Sequence, residues 1–207
     1  MSVSSTRPVG VHYAGDLRRA LLDAAAVTIA EVGIDGLSLR AVARRLGVSH
    51  AAPAHHFGDR IGLLTAVAVE GFERFVAAMA GVVAAATGAP EATLLAMARG
   101  YADFAERHAG YFETMFRPGM IDTDDPAYLA ASSAAFDALR AVVADCQNAG
   151  WHAGDDTRTL AAAAWSLAHG IAVLRGQRSL GRHFPDGSLA GVATIAGMLV
   201  SQPGRPT

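Results

Sequence analysis

The chain has 207 residues, 52% of them hydrophobic, and its 17 basic side chains (all Arg, no Lys) face 19 acidic ones for a net charge of −2. That length permits one large or two small domains with a substantial core, and the near-balanced charge argues against broad coating of a polyanion. The one cysteine, Cys146, excludes an internal disulfide and fits a reducing compartment, no apolar run is expected to cross a bilayer, and the N-terminus lacks the apolar core of a signal peptide, so a cytoplasmic protein without a membrane partner is expected.

Residues 1–13 read as a flexible arm. The most informative stretch is 37–60, LSLRAVARRLGVSHAAPAHHFGDR, where two short helical patterns meet at Gly47. Ser38 is placed to accept a hydrogen bond from the free amides that open a helix. Leu39, Val42, Ala43 and Leu46 then repeat at helical spacing, while Arg40, Arg44 and Arg45 lie off that stripe. Gly47 supplies the positive φ of a sharp helix-ending turn. Ser49 is expected to cap a second helix, His50 to His56, with Pro53 as its fourth residue, where it removes a single intrahelical bond. This spacing is that of a helix-turn-helix over about 38–57, and it names double-stranded DNA as the partner.

The second helix presents small and polar side chains, His50, Ala51, Ala52, Ala54 and His55, which let a backbone approach base edges. Ser49 and the amides at the helix N-terminus can hold a phosphate. Phe57 is expected to anchor the helix in the core. Asp59 is expected to cap the next helix, with Arg60 in its first turn as a phosphate clamp. From 37 to 60 there are four Arg against one Asp, a local basic patch on a net-acidic chain, which suits specific DNA contact. The adjacent His55 and His56 point about 100° apart on a helix and have no third ligand at a useful spacing, so no metal is expected.

This segment resembles the DNA-binding domain of the TetR/AcrR family of transcriptional regulators, in Ala43–Ser49, in His55-His56-Phe57 and in Arg60-Ile61-Gly62-Leu63. Upstream, Leu21, Leu22, Ala25, Ile29, Ala30 and Gly33-Ile34-Asp35-Gly36 are similar to that family's first helix and closing loop. The likeness covers about residues 14–75. Two positions depart from the pattern. Ala54 stands where a phosphate-binding Tyr is usual, and Arg60 replaces Lys, keeping the charge and adding a fork. The resemblance implies DNA contacts from Ser38, Arg40, Ser49, His50, Ala51, Ala52, Pro53, His55, His56 and Arg60, with His56 packed behind the recognition surface.

Beyond residue 75 the pattern stays helical. A fourth helix is expected from Asp59 to about Ala86, carrying Leu63, Leu64, Val67, Phe72, Phe75, Met79 and Val83. Pro90 suits the first turn of the next, which carries Leu94, Met97, Tyr101, Phe104 and His108. A short aromatic helix follows from Gly110 to Phe116, and Pro126 restarts a helix running to Gly150. The acidic loop Asp122–Asp125 lacks the ligand spacing of a calcium-binding loop. Helices are expected at about 155–175 and 188–200. There is no strand-like alternation of useful length.

Trp165 and His169 lie four apart, on one helix face, and Gly170 permits close approach of another helix. Trp-x-x-x-His-Gly resembles the C-terminal domain of a TetR-type subgroup called the WHG domain. Core packing and a ligand-pocket role both remain open for the pair. The expected fold is all-α, about nine helices, with a three-helix DNA-binding domain at 14–75 and a helical ligand-binding and dimerisation domain at 76–207. Candidate ligand-lining residues are Met97, Tyr101, Phe104, Phe112, Met115, Phe116, Tyr128, Phe136, Trp165 and His169. The resemblance implies a homodimer built on the last two helices, with Leu174, Leu189, Val192, Ile195 and Leu199 as candidates, and two recognition helices about 34 Å apart on a near-palindrome.

The expected function is a DNA-binding regulator, a repressor released by a small hydrophobic or aromatic effector, with no cofactor. A ligand-independent or architectural DNA-binding protein is the first alternative. A helical small-molecule-binding protein or enzyme is the second. Against an enzyme, the sequence has no nucleophile–base motif, no H-E-x-x-H and no Gly-rich phosphate loop.

Overall fold

The computed structural model describes residues 17–177, as eight α-helices and one 3₁₀ turn without a strand among them. In chain order these are α1 (Leu17–Val32), the 3₁₀ turn (Ile34–Gly36), α2 (Leu39–Leu46), α3 (Ala52–Phe57), α4 (Arg60–Ala85), α5 (Pro90–Arg107), α6 (Ala109–Met115), α7 (Pro126–Asn148) and α8 (Thr157–Gly176). The arm at 1–13 and the expected helix at 188–200 lie outside the described residues.

Local chemistry sets most boundaries. The Ser38 side chain accepts from the Ala41 amide at 3.2 Å, and Gly47 ends α2 in the left-handed conformation, φ 67°. Asp59 caps α4 through the Gly62 amide at 2.9 Å, and Asp125 caps α7 through Ala127 and Tyr128. Caps of this kind contribute about 1 kcal/mol each. Pro90 and Pro126 occupy first-turn positions of α5 and α7, where a missing N–H costs nothing. The α7–α8 turn is tied by Gln147, whose amide donates to the His152 and Asp155 carbonyls and accepts from the Thr157 hydroxyl at 2.6 Å.

Two apolar clusters form. The first, in the N-terminal head, gathers Leu21, Leu22, Ala25 and Ile29 of α1, Val42 of α2, and Leu63, Leu64 and Val67 of α4. The second gathers Phe72, Phe75 and Met79 of α4 with Leu94, Met97, Tyr101 and Phe104 of α5, Met115 of α6, and the inner faces of α7 and α8. The expected boundary between residues 75 and 76 thus falls inside α4, whose first half belongs to the head and whose second half belongs to the larger bundle. Helix α6 is divided in the same way. Tyr111 sits in the head cluster and Met115, one turn on, in the other.

One expectation about membranes changes. By length and composition α7, with 23 residues and a mean hydropathy of 1.2, is apolar enough to cross a bilayer. It instead packs on α4 and α8, with Val142, Val143 and Cys146 buried, while Asp137, Arg140 and Asp145 stay exposed. Burial pushes the Cys146 thiol up to about 11, so it behaves as a small apolar side chain.

Candidate functional site

Helices α2 and α3 meet at the Gly47 turn, with Val48 half-buried against the head core. Arg40, Arg44, Ser49, His50, Ala51, Ala54, His55 and His56 are exposed around this element, so both its charge and its small side chains face outward. Arg45 is committed sideways, in a two-pronged pair with Glu31 of α1 at 2.7 and 2.8 Å. Phe57 is half-buried, with the Arg18 guanidinium 5.4 Å from its ring centre.

Four local expectations are corrected. The second helix begins at Ala52 rather than His50, because Ser49 and the next two residues form a turn in which the Ser49 hydroxyl accepts from the Ala51 amide at 3.3 Å. Pro53 therefore stands in the first turn, removes no intrahelical bond, and is fully buried, so it supports the recognition helix from behind and does not face outward. His56 is exposed rather than packed, its ring edge-on to His55 at 5.5 Å. Arg60 is half-buried and stitches the start of α4 to the 3₁₀ segment, donating through Nε to the Leu37 carbonyl at 3.0 Å and through Nη2 to the Ile34 carbonyl at 2.6 Å. The Ile34 carbonyl also accepts from the Leu37 amide at 3.2 Å, so Arg60 adds a second bond there and supplies a partner to the Leu37 carbonyl, and that commitment competes with a free phosphate clamp.

The head is joined to the bundle through α6. Gly110, in its first turn, lies so close to α1 that a Cβ there would overlap the Ala26 carbonyl oxygen. The Tyr111 hydroxyl donates to Asp23 at 2.8 Å, and the Arg74 guanidinium takes the same Asp23 oxygen at 2.7 Å, holds Glu70 at 2.7 Å, and lies over the Tyr111 ring at 4.7 Å. Burial and the Asp23 carboxylate both push the Tyr111 phenol up, so it stays protonated as the donor. The Thr65 hydroxyl accepts from the Asp122 amide at 2.9 Å, tying α4 to the α6–α7 loop.

A cavity of about 960 Å³ opens among α4, α5, α7 and α8, at the upper end of the range usual for small-molecule sites. Its wall includes seven of the ten expected residues, Met97, Tyr101, Met115, Phe116, Tyr128, Phe136 and Trp165. Phe104, Phe112 and His169 lie outside the lining. Phe104 is 2% exposed and packs edge-on against Phe75, turned into the core by the close pairing of α4 with α5. Phe112 and His169 stack beside each other behind the wall, with ring centres 5.5 Å apart.

His169 nevertheless acts on the wall. Its Nδ1 is 2.9 Å from the Tyr101 hydroxyl, and the Trp165 indole N–H donates to the same hydroxyl at 3.3 Å. Burial lowers the imidazole and raises the phenol, so both remain neutral around neutral pH. Trp-x-x-x-His thus clasps Tyr101, with Trp165 in the cavity wall and His169 packed beside it.

The sequence reading missed other lining groups. Phe72, Phe75 and Met79 were legible as an apolar stripe continuing along α4 past the head. Trp151, buried in the wall, had only its position to signal it, a large aromatic within a Gly-rich turn. Asp137, Arg140, His152, Asp156 and Arg158 add charged or titratable groups. Among the described residues no group of His, Cys, Asp and Glu could hold a metal. Of the dimer candidates, Leu174 is 43% exposed on α8, while Leu189, Val192, Ile195 and Leu199 lie outside the described residues.

Comparison with known proteins agrees with this layout. A family model described as "Bacterial regulatory proteins, tetR family" matches residues 21–67, and one described as "Tetracyclin repressor-like, C-terminal domain" matches residues 94–192. The HTH-type transcriptional regulator BetI of Burkholderia thailandensis is 41% identical over 83 residues, 40% of this chain and 43% of that protein. The corresponding regulator of Cronobacter sakazakii is 37% identical over 93 residues, 44% of this chain and 46% of that protein. The chain thus matches less than half the length of these curated relatives. A solved protein of unknown function from Rhodococcus sp. RHA1 is 35% identical, with a TM-score of 0.75 over 93% of this chain and 95% of that one. The TetR family transcriptional regulator PfmR of Thermus thermophilus shares the fold, at 22% identity and a TM-score of 0.66 over 89% of this chain and 99% of that one.

Proposed function

Because the chain belongs to the TetR family of DNA-binding transcriptional regulators, we propose that it is a ligand-responsive repressor, a cytoplasmic homodimer that blocks transcription from a near-palindromic operator and is released by a small hydrophobic or aromatic effector. One observation carries this reading: α4 and α6 are each shared between the core of the DNA-binding head and the wall of the cavity, Phe72 and Met115 on the cavity side, Leu64 and Tyr111 on the head side.

Two recognition helices would enter successive major grooves, the exposed Arg40 and Ser49 positioning the backbone and the exposed His50, Ala51 and His55 meeting base edges. An effector that fills the cavity pushes on Phe72, Met115 and Phe116. A shift of α6 is passed to α1, since Gly110 abuts Ala26 and Tyr111 holds Asp23. Interlocked cores do not deform continuously, so such a shift re-sets the spacing of the two heads. The coupling is reciprocal, and operator DNA weakens effector binding by the same factor. Dimerisation would use the exposed face of α8, including Leu174, together with the segment around Leu189, Val192, Ile195 and Leu199.

The test is binding of the full chain to the intergenic DNA beside its own gene, with and without candidate effectors. Protection of a near-palindromic site that is lost at saturating effector is the expected result. The absence of any protected site there or elsewhere in the genome sinks the repressor reading, and unchanged operator affinity at saturation removes a given ligand as the effector.

A further inference from the structure

The inner part of the cavity is an apolar, uncharged surface. Phe72, Phe75, Met79, Met97 and Met115 are all at least nine-tenths buried, whereas Asp137, Arg140, Asp156 and Arg158 are exposed where the cavity meets solvent. A charged group pushed into the inner part would lose its hydration with no counter-charge to replace it, so that end of a ligand must be neutral. Among the polar atoms of the wall, the Tyr128 hydroxyl is used on the Met115 carbonyl at 3.3 Å, and the hydroxyl of Tyr101, a residue 6% exposed, is held by two side chains of α8.

The Tyr101 hydroxyl is held from two sides. The Trp165 indole N–H occupies one of its lone pairs at 3.3 Å, and His169 Nδ1 takes a second bonding direction at 2.9 Å. A phenol has three such directions, one proton and two lone pairs. One is therefore left, whichever of the two atoms supplies the proton in the Tyr101–His169 bond. The clasp comes from residues one helical turn apart on α8, and Phe112 and Phe116 pack the imidazole in place, with ring centres 5.5 and 4.6 Å away. A hydroxyl fixed in this way is pre-oriented, so a ligand bonding to it orders no further rotor.

We infer that the cavity takes an uncharged, largely aromatic molecule carrying a single hydroxyl group, and that Tyr101, oriented by Trp165 and His169, is the residue that recognises that hydroxyl. The inference rests on this cavity being the effector site proposed above. Flat aromatic ligands suit the wall because it is already built of rings that meet edge-on or tilted, Phe72 with Phe116 and Tyr128, and Phe136 with Trp165.

The chain contains its own reporter. Its two tryptophans, Trp151 and Trp165, both line the cavity, so intrinsic fluorescence follows occupancy directly and without DNA. The probes are 2-naphthol and naphthalene, which differ by one hydroxyl, titrated into the full chain and its Tyr101→Phe variant. The expected result is a two-by-two cycle with a coupling. The Kd of 2-naphthol rises about three- to tenfold in Tyr101→Phe, the size of one buried neutral hydrogen bond, while that of naphthalene changes less than twofold. Unchanged naphthalene binding also shows that the variant is folded. In Trp165→Phe, with Trp151 as reporter, the preference for 2-naphthol over naphthalene shrinks, because the clasp is half removed. Equal shifts for both probes, no shift for either, or no quenching of the wild-type chain by either overturns the inference. Operator affinity measured in parallel separates the two readings. A coupled cycle with unchanged operator binding leaves this inference standing and removes 2-naphthol as an effector, while a flat cycle with operator binding intact removes the inference alone.

Discussion

Gly110 packs its bare Cα face against the Ala26 carbonyl, so the first turn of α6 touches the backbone of α1 with no side chain between them. Only glycine permits this approach, and it brings Tyr111 within reach of Asp23. The junction between head and bundle depends on that pair.

Gly110→Ala should therefore destabilise the protein. In an unconstrained helix the change would stabilise by about 0.5–1 kcal/mol. Here the added methyl has to displace backbone, and overpacking of this kind costs about 1–3 kcal/mol. Thermal melts should show a lower Tm. A Tm equal to or above that of the wild type would mean that α6 does not dock on α1 as described.

Arg60 and Arg40 should separate stability from DNA binding. Arg60→Ala removes two hydrogen bonds to the Leu37 and Ile34 carbonyls, so denaturant unfolding should show a loss of about 1–3 kcal/mol, and any loss of operator affinity should be even across sequences. Arg40 is exposed and its loss should leave stability within about 0.5 kcal/mol, while lowering operator affinity and the salt slope by about one unit. Equal stability losses for the two variants would refute the structural role given to Arg60.

Acid should weaken the bundle before carboxylates titrate. Burial holds His169 below the usual imidazole range, so the unfolded chain takes up this proton first as pH falls. Stability is then greatest above about pH 6.5 and declines below it, until the folded-state pKa is reached. The urea midpoint should drop between pH 7.5 and 5.5, and His169→Gln should flatten that drop. His108, lowered first by burial and then by Arg74 and Arg107, works in the same direction and bounds what His169→Gln can remove. An identical pH profile in His169→Gln would contradict the half-buried, neutral role of His169.

Leu174→Glu should weaken self-association. The side chain stands on α8 with 43% of its surface exposed, on the helix expected to form half of the dimer interface. Sedimentation should show a larger monomer fraction and operator binding should become more dependent on protein concentration, with little change in the far-ultraviolet helix signal. A dimer as tight as the wild type would place the interface elsewhere.

What the sequence determined by itself is the set of features that close within three or four residues. Ser38 reaches Ala41, Asp59 reaches Gly62, Asp125 reaches Tyr128, and Gly47 turns the chain through its own φ. Such interactions depend on residue type and spacing alone, which is why the helix-turn-helix, the run of α-helices and the family resemblance were legible. Tertiary structure decided the rest, because those contacts join residues far apart in the chain. Pro53 is buried beneath its helix, Arg60 answers carbonyls 23 and 26 residues before it, and Tyr101 meets Trp165 and His169 at separations of 64 and 68. The aromatic stripes that suggested a ligand pocket could not reveal which of their members line it. Helical spacing assigns a residue to a face, but only the packing of α4, α5, α7 and α8 determines whether that face meets a neighbour, as at Phe104, or open space, as at Tyr101.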